Sequence, residues 1–530
     1  MSGPASTDEI LGGAAFMVPD PNTVLLPPPP AFGHEHIGTG RTERVDVVIV
    51  GSGPGGGSVA KVLAEAGVRV MVVEMGPKQS RFRPNYANVA RYHMQEAGTM
   101  LTRGSANFPI AAGMGVGGST LVNSALSFRA PRAVLDGWAS HLHEPGLGFD
   151  ALQPLYDEVS ELVGVGITRQ AIAGVNNELI VRGIEKLGHE GGYAPRSTPG
   201  CVGCGVCYYG CPTRGKASTN LTLLPRAVNA GAVIQAEVQV DEVIVENGRA
   251  AGIRGRSRNP DTGELGGILT VEADHVVLSA GAVGTSRMLW HSGLAQRLGP
   301  HVGEHLQIHP GSTVLAECDF DVHLWKGATQ GAWFHHPDLP GVLPHTFSAP
   351  PEACLVAGGF VGDRFQEGMA LLPRLAGMLL MVSDKGEGRV RAFSDGRADM
   401  KYTFAPGDVN RIKQGLVAVA EVLQAGGAGR LHVPVHGVSP SNKPEELAQK
   451  LDDRAIRDFT LYAAHPMGTN RMGTDIEDGV VDSWGRAHGL ENLWIADAGV
   501  FPTSLGVNPQ LSTMAIGHWV GRHLHTVLGG

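Results

Sequence analysis

"VDVVIVGSGPGGGSVAKVLAEAGVRVMVVE", Val45 to Glu74, decides how the rest of this chain is read. It opens on β-branched residues, the pattern of a strand buried on both faces of a parallel sheet. Gly51, Gly53 and Gly56 then form G-x-G-x-x-G. Helical spacing runs from Ser58 to Ala66, ends at Gly67, and gives way to a second β-branched strand, Val68 to Val73, that stops at Glu74. The glycines permit a tight turn and let backbone N–H groups and the helix N-terminus approach a pyrophosphate. Glu74 can accept hydrogen bonds from a ribose. The stretch predicts a Rossmann-like strand–helix–strand unit for a dinucleotide and leaves FAD and NAD open.

The 530 residues around it leave room for roughly three domain-sized units. Hydrophobic residues make up 42% and charged residues 18%, ordinary for a globular protein with a sizeable core. The 75 glycines, about twice usual, point to many tight turns and close backbone approaches. A net charge of −9 gives no footprint for nucleic acid. No apolar run is long enough for a transmembrane segment. The N-terminus lacks a basic region and a twin-arginine pair, and Asp8 and Glu9 precede its only apolar patch, so a cytoplasmic protein is expected. Four prolines at 27–30 predict an extended N-terminal arm over residues 1–43.

Three later segments narrow the cofactor. Phe108 to Pro131 is a second Gly-rich loop, Ala273 to Leu289 a strand running through Gly281 into a helix, and Asn492 to Gly517 a strand ending in Asp497, then a loop and a helix. With "HPMGTNRMG", His465 to Gly473, this order resembles the glucose–methanol–choline (GMC) oxidoreductase family of FAD enzymes, from about residue 44 to the end. The resemblance implies an α/β fold. A Rossmann-like FAD-binding domain would be built from discontinuous segments (44–150, 213–310 and 461–530), with an insertion carrying cysteines (151–212) and an α+β substrate-binding domain with an antiparallel sheet (311–460). By the same likeness Gly51, Gly53, Gly56 and Glu74 would hold the ADP half of FAD. Gly117, Gly118, Ser119 and Asn123 would lie beside the flavin ring, Asp497 at the ribityl chain, and Val238 near the adenine through its backbone. Where some relatives carry a His that bonds FAD covalently, this chain reads Leu121-Val122-Asn123, which implies non-covalent FAD.

Twenty-two histidines make any single one weak evidence. His465 stands out because it opens the C-terminal motif, and Asn508 follows in "GVNPQLS"; in the family these match the catalytic His and its partner. Oxidising an alcohol removes a hydride from carbon and a proton from oxygen. A neutral imidazole suits that proton, and an amide can donate to the developing alkoxide without competing for it.

"CVGCGVCYYGCP" places Cys201, Cys204, Cys207 and Cys211 in the C-x₂-C-x₂-C-x₃-C-P spacing of bacterial ferredoxins. An iron–sulfur cluster, [4Fe–4S] or [3Fe–4S], is the first reading, with Cys318 or Cys354 as other sources of a ligand. Free thiols or local disulfides, and zinc, are the alternatives. A cluster would send electrons singly toward a protein or quinone acceptor and make the chain a dehydrogenase. Without one it would be an oxygen-using alcohol oxidase, or a GMC-type lyase with structural FAD. Within 311–460 the stretches "GAWFHHPDLPGVLPHTF" and "RLAGMLLMVSD", apolar and Met-bearing with few charges, favour an apolar or bulky alcohol as substrate.

Overall fold

The computed structural model describes Leu11 and residues 19–78, 82–83 and 85–530. Residues 1–10 and 12–18 of the expected arm, Asp8 and Glu9 among them, lie outside the described residues. From Pro19 onward the arm follows the body: Leu26 N–H donates to the Leu221 carbonyl and Phe32 N–H to that of Ile234.

The opening stretch folds as read. Gly40–Val50 (β1), Pro54–Glu65 (α1) and Val70–Val73 (β2) form a strand–helix–strand unit, with β1 and β2 parallel and Val47 opposite Val70. Pro54 suits the first turn of α1, where its missing N–H would lack a helical partner anyway. Val47, Val48 and Ile49 have no exposed surface; burying each contributes about 1.5–3 kcal/mol. Gly51 takes a φ of 102°, and a Cβ there would meet the Ser279 carbonyl oxygen at 2.2 Å, so only glycine fits the turn.

Val233–Gln235 (β3), Val238–Glu246 (β4), Arg249–Arg258 (β5) and Leu265–Leu278 (β6) complete the first sheet with Leu493–Ile495. The order is β3-β2-β1-β6-β5-β4, with Leu493–Ile495 on the end of β6. Pairing is parallel from β3 to β6 and with Leu493–Ile495, and antiparallel through β6, β5 and β4. Gly281–His291 (α2) follows β6.

The second sheet is antiparallel. Gly311–Glu317 (β7), Ala332–His335 (β8), Val342–Thr346 (β9), Leu375–Val382 (β10) and Leu431–His432 (β11) join Glu190–Tyr193 in the order β11-β7-β10-β9-β8-Glu190–Tyr193. Pro406–Ala425 (α3) packs on β7, β10 and the helix Val175–Leu187. Trp333, Leu343 and Met381 belong to the same buried cluster as the first sheet, which joins the two layers. Glu387–Ala392, Ala398–Thr403 and Thr102–Gly104 make a small third sheet. The sheet foreseen within 311–460 thus also takes a strand from 190–193. Gln510–Val527 (α4) packs on α1. The fold is the mixed α/β architecture expected, with a strand–helix–strand nucleotide unit and an antiparallel sheet. Among the described residues no helix is long and apolar enough to cross a membrane.

Candidate active site

Three distant segments meet where the layers join. His309 stands just before β7, His465 opens the loop 465–473, and Asn508 precedes α4. Nδ1 of His465 lies 3.3 Å from Nδ1 of His309, with ring centroids 5.3 Å apart and edge to face. Nε2 of His465 is 3.3 Å from Nδ2 of Asn508, whose Oδ1 is buried without a hydrogen-bond partner. The chain before His465 is fixed by the second glycine loop, where Ala111 N–H donates to the Ala463 carbonyl. Asn123 of that loop donates to Gln510, two residues past Asn508. Ser119 is exposed although Gly118 and Thr120 are buried, and its Oγ accepts from Gly113 N–H at 2.8 Å.

His309 was not foreseen. It holds a left-handed φ of 50°, and Asp384 fixes that backbone by accepting from the N–H groups of Ile308 (2.9 Å) and His309 (3.2 Å). Tyr402 and Ser504 also donate to Asp384, at 2.7 and 3.1 Å. Gly506 N–H donates to Nε2 of His309 at 2.9 Å. Burial drives the His309 imidazole down to about 3. Burial and then His309 hold His465 well below the usual imidazole range, so both rings are neutral at neutral pH. His345 on β9 is 2% exposed, has neither ring nitrogen paired, and is held at about 3 by burial and then by His465. A histidine on an apolar strand carries no signal of this in sequence.

The expected nucleotide residues are assembled, with one difference. Glu74 is 5% exposed, and its carboxylate already accepts from protein donors. These are Ser52 N–H (3.1 Å) and Oγ (2.6 Å), Gly76 N–H (2.9 Å) and Gly115 N–H (3.1 Å). It therefore ties the Gly51–Gly53–Gly56 loop to the loop holding Gly117 and Gly118. A Cβ on Gly118 would lie 2.7 Å from the Cα of Gly53, so the two loops touch. Val238 follows: its N–H goes to the Glu74 carbonyl at 3.0 Å. Asp497 is 4% exposed, accepts from Thr285 Oγ1 (2.6 Å) and Gly499 N–H (2.8 Å), and is pushed up to about 6 by burial.

The four clustered cysteines lie nearby. Cys201, Cys204, Cys207 and Cys211 line one small surface concavity with Lys216 and Gly327. All four are free thiols in this structure. Among the described residues no three of their sulfurs lie within 4.8 Å of one another. A single zinc ion, with sulfur ligands about 2.3 Å away, would need a tighter set. Cys318 and Cys354 are buried in the core of the second sheet and do not line the concavity.

Two buried cations face the thiols. Arg196, 1% exposed, donates from Nε to the Ser124 carbonyl at 2.9 Å and from Nη2 to Cys207 Sγ at 3.4 Å and Thr329 Oγ1 at 3.3 Å. Its Nη1 is buried without a partner. Lys216, 2% exposed, donates to the carbonyls of Leu121 (2.9 Å), Asn123 (2.7 Å) and Cys207 (3.2 Å). None of these partners is a carboxylate; burial lowers the Lys216 ammonium to about 8, and the Cys207 thiol is the nearby group able to carry a compensating negative charge. Burial raises the Cys207 thiol, but Arg196 and Lys216 outweigh it and leave it below its usual value.

The sequence matches the GMC oxidoreductase models over residues 90–311 and 384–517, and an FAD binding domain model over residues 44–101. It is 36% identical over 482 residues to an uncharacterised GMC-type oxidoreductase of Mycobacterium tuberculosis, covering 89% of this chain and 74% of that protein. A long-chain-alcohol oxidase of Arabidopsis thaliana is 28% identical over 520 residues, covering 90% of this chain and 67% of the relative. The crystal structure of pyridoxine 4-oxidase from Mesorbium loti superposes with a TM-score of 0.69 at 18% identity, covering 91% of this chain and 99% of the other, a likeness of fold. By motif, sequence and fold, the chain belongs to the GMC oxidoreductase family.

Proposed function

We propose that this protein is an FAD-dependent alcohol dehydrogenase. It oxidises a CH–OH group to the carbonyl and passes the electrons through an iron–sulfur cluster to an external protein or quinone acceptor. The observation that carries the reaction is the meeting of His465, Asn508 and His309 beside the second glycine loop. Bound FAD supplies the hydride acceptor. Gly51, Gly53, Gly56 and Asp497 would hold it with Gly117, Gly118, Ser119 and Asn123, without a covalent link. Glu74 and Val238 would act from behind by holding the loops.

His465 would take the hydroxyl proton on its imidazole, while one proton and two electrons leave carbon as the hydride. Asn508 would donate to the developing alkoxide from Nδ2, which lies 3.3 Å from Nε2 of His465. Buried His309 holds the base neutral and ready. An apolar or bulky alcohol as substrate is in keeping with the long-chain-alcohol oxidase relative. Cys201, Cys204, Cys207 and Cys211 would hold the cluster, which supplies one-electron storage, and a reducing cytoplasm would keep them available.

A second reading, an oxidase that gives its electrons to oxygen, is favoured by the names of the relatives. The experiment is a visible spectrum of anaerobically purified protein before and after a panel of alcohols, with iron and acid-labile sulfide assayed on the same sample. Bleaching with stoichiometric iron supports the dehydrogenase. Bleaching without iron, with peroxide formed under air, moves the assignment to an oxidase. A flavin that no alcohol bleaches overturns both.

A further inference from the structure

Lys216 and Arg196 each reach two places at once. Lys216 holds the carbonyls of Leu121 and Asn123 with one side of its ammonium and that of Cys207 with the other. Arg196 holds the Ser124 carbonyl and the Cys207 sulfur. Residues 121–124 are the loop assigned to the flavin ring, and Cys207 is the one buried thiol of the four. The loop and the concavity are therefore joined through two positive charges rather than through packing alone.

We propose that Lys216 and Arg196 form an electrostatic clasp that sets the reduction potential of the group held by the four cysteines while fixing that group's distance from the flavin loop. The inference rests on the iron–sulfur reading above. Both residues are positioning residues that act through Cys207 and the loop. A thiolate-bound cluster gains negative charge when it takes an electron. Two cations in a water-poor setting favour that reduced form and raise the potential. A clamp needed only for shape would hold the same carbonyls whatever the potential. The unpaired Arg196 Nη1 and the lack of any carboxylate on either cation point to charge as the requirement.

The test uses the full chain, purified without oxygen, as wild type, Lys216→Met, Arg196→Lys and Arg196→Met. Iron and sulfide are assayed first, and the cluster midpoint is then read by a potentiometric titration followed by electron paramagnetic resonance. Lys216→Met and Arg196→Met should shift the midpoint to more negative potential, and Arg196→Lys should shift it less than Arg196→Met. Equal midpoints in all loaded proteins overturn the clasp and leave the cluster reading intact. Wild type without iron overturns both. If the charge-removing variants carry no iron while Arg196→Lys keeps it, charge is again the requirement. Loss of iron from Arg196→Lys as well makes shape the requirement and overturns the proposal.

Discussion

Replacing His465 by alanine gives the sharpest test of the reaction. The side chain leaves a space next to His309 and Asn508 without cutting a strand or a core helix, so the fold should survive. A positioned general base accelerates proton removal by about 10²–10⁴. At about 1.36 kcal/mol per tenfold, its loss raises the barrier by about 2.7–5.4 kcal/mol. Asn508 remains to stabilise the alkoxide, which keeps the effect within that range. The pH dependence adds a second signature. His465 is held well below the ordinary imidazole value by burial and by His309, so the wild-type rate should be flat through neutrality, with its acid limb displaced well below that of a free imidazole. The assay is anaerobic stopped-flow flavin reduction at saturating alcohol, from pH 5 to 9. His465→Ala should be slower by at least about a hundredfold and lack the acid limb. A variant within threefold of wild type, or one with an unchanged limb, refutes His465 as the base.

His309→Leu removes the neighbour that, after burial, disfavours charge on His465; the acid limb of flavin reduction should move to higher pH, which the same titration measures. Burial keeps His309 and His345 neutral down to about 3 in the folded chain, against about 6.5 for an ordinary imidazole. The unfolded chain then binds protons that the folded one refuses. Stability should be full above about pH 6.5 and fall between there and about 3, at up to about 1.4 kcal/mol per pH unit for each ring. Urea titrations at pH 7.0, 6.0 and 5.0 should show that slope, and His345→Leu should reduce it. Serine at Cys201, Cys204, Cys207 or Cys211 should lower iron per chain, whereas Cys318→Ser should not, as read by iron assay against protein.

The nucleotide unit was legible because its constraints are local. A Cβ at position 51 would strike the Ser279 carbonyl, so the glycine marks a close approach whatever lies elsewhere. His465 and Asn508 stood out through their motifs, and the structure puts them 3.3 Å apart. His309 and His345 could not be read in this way. Neither opens a recognisable motif, and the meaning of each comes from neighbours distant in the chain, such as Asp384 and His465 for His309 and His465 for His345. Arg196 and Lys216 lie outside any pattern, since nothing local marks a cation as buried. Glu74 was legible in position but not in its bonds, because its donors come from both glycine loops. The strand at 190–193, with two glycines in "EGGY", has almost no β signature and is a strand only because β8 offers it an edge.

The pairing of Val276–Leu278 with Leu493–Ile495 has a consequence for how the chain is made. On a ribosome the end of β6 emerges long before its partner. At roughly 5–20 residues per second, the 215 positions between Leu278 and Leu493 take about 10–40 s to synthesise. Thr102–Gly104 waits still longer for Met400–Tyr402. During that interval β-branched edges stand unpaired, the condition in which nascent chains pair wrongly or recruit chaperones. Slowing translation between these segments should therefore lower the yield of soluble protein more than the same delay placed after residue 495.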